Sequence, residues 1–300
     1  MNHKRLAAFL CLLPLSLLQT DLFAQQKIII IASNSNLPPF EAAITGFKEA
    51  LFQDNIDFKI VDYDLTGPLP PETDRADLIF TVGSNSTQLM AEKIQTIPIV
   101  FTLVMEPKFS SQNITGVTLQ IPLQQQLAVL SKISPRPKKI GILYNPEKTK
   151  KLVESYVHES GGKGFEVLTK QVSDVGEVYS AIRDFRPSID CLFIIPDSTV
   201  YTINSTEDIL LYSLREGLPV VGISPTYVKA GALFSISCNY KQLGKQSGEI
   251  AARILRGEKP SDIPYASPDK YDLSVNLIVA RRMGVTLPDK LLEEAVNVYK

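Results

Sequence analysis

The 300 residues carry 31 Lys+Arg against 32 Asp+Glu, with 44% apolar and 8% aromatic side chains and no tryptophan. A formal charge of −1 argues against the basic surface that a nucleic-acid partner needs, and the composition excludes a disordered or fibrous chain. The length suffices for two domains.

Lys4 and Arg5 precede an apolar run from Leu6 to Leu18, and Ala24 offers a small residue for cleavage. Residues 1–24 therefore read as a secretory signal, removed after Ala24. The run is short for a membrane span, and Cys11 lies too early in it for lipid attachment. A soluble, exported, periplasmic protein is expected. Its two remaining cysteines, Cys191 and Cys238, fall in apolar runs and read as small core residues, although export permits a disulfide.

"KIIIIAS" from Lys27 fits a strand buried on both faces. A helix with Ala43, Phe47, Ala50 and Leu51 on one side follows, then the strand "IDFKIVDYD", the strand "ADLIFTVGS", a helix over "TQLMAEKIQ" and the strand "IPIVFTLV". That alternation is the doubly wound α/β pattern. The same order then restarts: "KKIGILYNP", "GFEVLTKQV", "IDCLFIIPDST" and "LPVVGISP" answer the first four strands, with Phe80 and Phe193 offset by 113 residues. Two similar Rossmann-like lobes in tandem are expected.

The tail adds the strand "GALFSISCN", an amphipathic helix "YKQLGKQSGEIAARILRG" ending at Gly257, and "YDLSVNLIVARRMG", one more strand with a short helix. These cannot bury themselves alone, so they must complete the lobes, and the chain crosses between lobes more than once. The expected division is 25–118 plus 240–263 for lobe one and 119–239 plus 264–300 for lobe two. A multi-strand hinge is expected near Thr118–Pro122, Asn239-Tyr240 and Pro264–Pro268.

Ligands of open parallel sheets sit beyond the carboxyl ends of the strands. The third strand of lobe one runs into Gly83-Ser84-Asn85-Ser86-Thr87, and its counterpart into Pro196-Asp197-Ser198-Thr199. Small polar residues there are either helix caps or ligand contacts. As contacts, Ser86 and Thr87 suit a carboxylate and Asp197 an ammonium, which together describe an amino acid. Asn36 after the first strand, Thr102 in the fourth, Tyr144 and Asn145 after the first strand of lobe two, Ser224 after its fourth and Asn239 at a crossing complete the candidate ligand set. Tyr144 is either a stacking surface or an ordinary edge aromatic; Glu106 reads as a surface turn residue.

Gly141–Pro146, Gly231–Leu233, Asn239-Tyr240, Gly244–Gln246, Ile254–Pro260 and Val275–Gly284 together resemble the ABC-transporter substrate-binding protein family that includes tryptophan- and tyrosine-binding members. The resemblance implies a type I periplasmic binding protein fold, closure on a small ligand, often an aromatic amino acid, and delivery to a membrane permease by a monomer. Glu106 stands where the family pattern has Asp, Asn239 where many members carry Asp in a D-Y or N-Y pair, and the "ASNSNLPPF" loop also departs from the pattern.

No catalytic set accompanies these features. His158 is the only histidine after the signal and lies in a charged helical pattern that reads as surface. There is no G-x-S-x-G elbow, Walker or dinucleotide glycine pattern, and no Cys/His metal spacing. The expectation is a binding protein without cofactor or metal, feeding a permease, or alternatively a sensor, rather than an enzyme.

Overall fold

The computed structural model describes residues 26–34, 36–133, 138–161 and 164–300; the signal-peptide reading lies outside them. Lobe one opens with β1 (Lys27–Ala32), α1 (Pro38–Gln53), β2 (Phe58–Tyr63), β3 (Leu78–Val82), α2 (Ser84–Lys93), β4 (Ile99–Val104) and β5 (Ile114–Thr118). The chain crosses into α3 (Leu123–Ile133), β6 (Lys138–Tyr144), α4 (Pro146–Ser160), β7 (Phe165–Gln171), α5 (Val178–Phe185), β8 (Cys191–Phe193), α6 (Ile203–Arg215), β9 (Val220–Gly222), α7 (Pro225–Ala230) and β10 (Phe234–Cys238). It returns for α8 (Tyr240–Leu255), then crosses again to β11 (Tyr271–Asn276), α9 (Leu277–Arg282), α10 (Asp289–Glu294) and β12 (Ala295–Tyr299).

The first sheet has the order β2-β1-β3-β4-β5, and the second β7-β6-β8-β9-β10-β11-β12. The leading five positions of the two match strand for strand, the doubly wound order expected from the restarted pattern. All pairings are parallel except β10 with β11. The apolar runs explain this order: β3 and β4 are buried along their whole length, between helices on both faces.

Lobe one owes one face to α8. Leu243, Ile250, Ala251 and Ile254 from that helix join Ile29, Phe47, Phe80 and Val100 in a single core. The rings of Phe47 and Phe80 stack there at 3.8 Å between centroids. Helices α1 and α8 meet through glycines: a Cβ on Gly46 would lie 1.9 Å from the Lys241 carbonyl oxygen, and one on Gly244 1.8 Å from that of Ala43. Only the absence of side chains lets the two backbones approach so closely.

Three passages join the lobes, after β5, after β10 and before β11. The third is stitched to β5: Thr118 N donates to Ala266 O at 2.9 Å, and Ala266 N to Gly116 O at 2.9 Å. At the end of β4 the register with β5 shifts between Phe101 and Val104, and Leu103 takes a left-handed φ of 57°. A leucine rarely accepts that conformation. The distortion directly precedes Met105, which faces the space between the lobes.

Candidate functional site

The passages form the floor of a cleft of about 500 Å³. Lobe one contributes Ala42 of α1, Met105 and Leu119; lobe two contributes Leu152 and Tyr156 of α4, Pro196, Ile223, Ser224 and Ile236; Gln120, Ser237, Cys238 and Asn239 lie between them. The volume falls within the roughly 300–1,000 Å³ common for small-molecule sites.

Charge in the cleft is sparse. Among the described lining residues Asp272 is the one carboxylate and Lys241 the one cation. Lys241 is turned to Glu49 of α1, Nζ to Oε1 2.8 Å. Asp272 accepts from Asn239 Nδ2 at 3.2 and 3.3 Å, while Asn239 Oδ1 caps α8 by accepting from Gln242 N at 3.1 Å. Beside them the Cys238 thiol donates to Leu119 O at 3.3 Å, tying two passages together. Burial, and then the Asp272 charge, pushes that thiol up to about 12. Burial likewise pushes the Tyr156 phenol up to about 12, against a hydrogen bond from Gln126 Nε2 at 3.4 Å.

Of the residues expected to touch ligand, Ser224 and Asn239 line this cleft. The others are placed differently. Helix α2 begins at Ser84, with Gly83 at a φ of 89° as its N-cap, so neither Asn85 nor Ser86 caps it. Ser86 Oγ donates back to Val82 O; Thr87 Oγ1 donates to Gly83 O at 2.8 Å and lies 2.9 Å from Thr81 Oγ1. Both hydroxyls are fully buried, while Ser84, Asn85 and Asn36 are exposed. Thr102 is fully buried, and its hydroxyl has no hydrogen-bond partner among the described residues.

In lobe two, Asp197 is engaged by its own lobe. Oδ2 accepts from Asn145 N at 2.8 Å and Thr149 Oγ1 at 2.6 Å; Oδ1 accepts from Thr199 N at 3.0 Å and Val200 N at 3.1 Å. The segment through Ser198 and Thr199 is a turn, and α6 starts only after the capping box of Thr202 with Ser205. Asn145 caps α4 through Glu147 N and donates to Val172 O and Ser173 O, and the Tyr144 hydroxyl accepts from Gln171 Nε2 at 3.1 Å. These contacts knit β6, β7 and β8 into one strand-end cluster.

Of the two cysteines, Cys191 is buried in β8 as expected, whereas Cys238 is half-buried in the cleft wall, and no disulfide joins them. His158 is exposed, as its charged surroundings suggested. Glu106 is exposed beside Lys108.

The sequence reasoning missed Tyr156, Tyr240 and Asp272 as cleft residues. For Tyr240 the signal was its place at a crossing, since a segment that spans two lobes must floor the space between them. Tyr156 lies on the mid-section of a helix and Asp272 inside a strand, where nothing local distinguishes a cleft-facing residue.

A family model described as "ABC transporter substrate binding protein" matches residues 72–299. A protein named "Tyrosine-binding protein" from Clostridioides difficile is 26% identical over 275 residues, covering 84% of this chain and 79% of that protein. A ligand-free, open substrate-binding protein with adhesive properties, also from Clostridium difficile, superposes with a TM-score of 0.75 at 27% identity, over 91% of this chain and 99% of that one. An ABC domain from Streptococcus pneumonia, solved with L-Trp, shares the fold at 23% identity and a TM-score of 0.57, over 91% of this chain and 100% of its own.

Proposed function

The chain belongs to the ABC transporter substrate binding protein family, and we propose that it is an exported, non-enzymatic receptor that closes its two lobes on an amino acid with an aromatic or other apolar side chain. The observation that carries this reading is the cleft itself. Apolar walls from both lobes and the rings of Tyr156 and Tyr240 surround a single carboxylate and a few neutral hydrogen-bonding groups. Such a lining suits a ligand with one apolar body and one compact polar end. The 26% identical relative named as tyrosine-binding supports the choice of ligand class.

Function then follows from population shift. Residues of both lobes contact the ligand together only when the lobes close, so the ligand stabilises the closed form. A membrane permease that recognises that form receives the cargo from a monomeric binding protein, in the periplasm once residues 1–24 are removed. Ser224 and Asn239, with Tyr156 and Tyr240, are the proposed ligand contacts.

A thermal-shift panel of the twenty amino acids, sugars and nucleosides tests this reading. An aromatic amino acid at 100 times its dissociation constant should stabilise the protein by about 2.7 kcal/mol. A shift with sugars alone, or with none of the panel, refutes the ligand assignment.

A further inference from the structure

Every acid and base at the cleft has a partner that offsets its charge except one. Lys241 faces Glu49 at 2.8 Å. Asp272 touches no cation among the described residues; both its oxygens share the neutral amide of Asn239. An ionised carboxylate accepts at about four sites, so further acceptor capacity faces the cleft.

Its mounting joins the two lobes. Asp272 lies opposite Ser237 in the antiparallel β10–β11 ladder, one pair from Cys238 and Tyr271. Its amide partner is fixed as the N-cap of α8. The carboxylate is therefore held by a strand of lobe two and by the first turn of a lobe-one helix. Its charge reaches the cleft floor, because it contributes to raising the neighbouring Cys238 thiol.

The surroundings make that charge selective. Leu119, Ile121, Ile223 and Ile236 lie about the same cleft. When the lobes close, water leaves, and a desolvated carboxylate without a counter-ion opposes closure. A cation carried by the ligand reverses that opposition.

Resting on the amino-acid reading above, we infer that Asp272 is the specificity-determining residue of the cleft: it receives the ligand's ammonium group and disfavours closure on an empty cleft or on ligands without one. Asn239 is its positioning residue.

The test is calorimetric titration of the full mature chain with L-tyrosine, tyramine (ammonium, no carboxylate) and 3-(4-hydroxyphenyl)propionate (carboxylate, no ammonium). Asp272→Asn should weaken L-tyrosine at least tenfold while tightening the propionate, whose closure no longer desolvates an unpaired carboxylate. The exchange Asn239→Asp with Asp272→Asn moves the carboxylate across one hydrogen bond, keeps an acceptor to cap α8, and should restore part of the loss. An Asp272→Asn protein with wild-type affinity for L-tyrosine overturns the inference, as does one that weakens all three probes alike. Should Asp272→Asn fail to fold, as judged by its ligand-free melting curve, the exchange variant decides: no preference for ammonium-bearing probes overturns the inference. Wild type that ignores L-tyrosine yet binds tyramine through Asp272 discards the amino-acid reading and keeps this one; binding of none of the three overturns both.

Discussion

Gly244→Ala offers a demanding test of how the two halves of the chain are held together. At an exposed, unstrained site, Gly→Ala stabilises by about 0.4–1 kcal/mol, and helix propensity favours alanine by about 1 kcal/mol. In α8 the new Cβ would stand 1.8 Å from Ala43 O, 2.6 Å from Ala43 C and 2.7 Å from Ala43 Cα, all backbone of α1. Ordinary contact begins at 3.4 Å, so the helices must part by 1.6 Å at this point. A gap of about 0.5–1 Å already forfeits a quarter to a half of a dispersion contact, and overpacking costs about 1–3 kcal/mol. The separation also loosens Phe47, Leu51, Leu243 and Ala251, which share that core. The net expectation is a loss of about 2 kcal/mol, read as a lowered denaturant midpoint at an unchanged slope. Gly161→Ala is the control, because among the described residues its Cβ meets only His158 O, at 3.4 Å; exposed and at a φ of −56°, it should be neutral to stabilising by up to about 1 kcal/mol. If Gly244→Ala proves as stable as wild type, the close approach of α1 and α8 does not exist in solution.

Asp197→Ala should destabilise the protein by at least about 3 kcal/mol, because it strands the donors of Asn145, Thr149, Thr199 and Val200. An effect on ligand affinity with an unchanged melting curve would argue instead for a direct ligand role. Thr102→Val removes a buried hydroxyl without a partner and should stabilise by about 1 kcal/mol; a loss of ligand binding instead would show that the closed form uses the hydroxyl. The Cys238 thiol and Tyr156 phenol, ordinarily at 9.0 and 10.0, are both raised to about 12, so the fold favours their protonated forms. The stability they support is complete below about pH 9 and is lost as pH rises through about 12. Cys238→Ala should therefore improve relative to wild type across that alkaline window in denaturation midpoints. The same raised thiol should react with iodoacetamide more slowly than an ordinary cysteine, and more slowly still with ligand bound.

Much of the architecture is legible because parallel strands buried on both faces write themselves as unbroken apolar runs. Lys27–Ala32 and Ile99–Val104 are examples. Strand β5 escaped notice because "ITGVT" has no such run; Gly116 is there because a Cβ would lie 2.2 Å from Phe101 O, a constraint that arises only in three dimensions. Strand β12, "AVNVY", is a short edge strand whose alternation is too brief to stand out. The strand-end polar residues were conspicuous, but a hydroxyl that back-bonds to its own turn and one that awaits a ligand have the same sequence signature. Ser86 and Thr87 show the first behaviour. The cleft residues lay elsewhere, at crossings and on the mid-section of α4, because the space between two lobes is defined by their mutual placement and leaves no local periodicity.

The return of α8 to lobe one sets an order on biosynthesis. A chain emerging from its amino end makes β1 to β5 first, yet that sheet lacks the helix that covers Ala43, Phe47 and Leu51 until Leu255 has been added. By then β6 to β10 of the other lobe are already complete. The half that is begun first is thus finished late, and a nascent or prematurely terminated chain ending anywhere before α8 presents a bare apolar face, a ready target for chaperones and proteases.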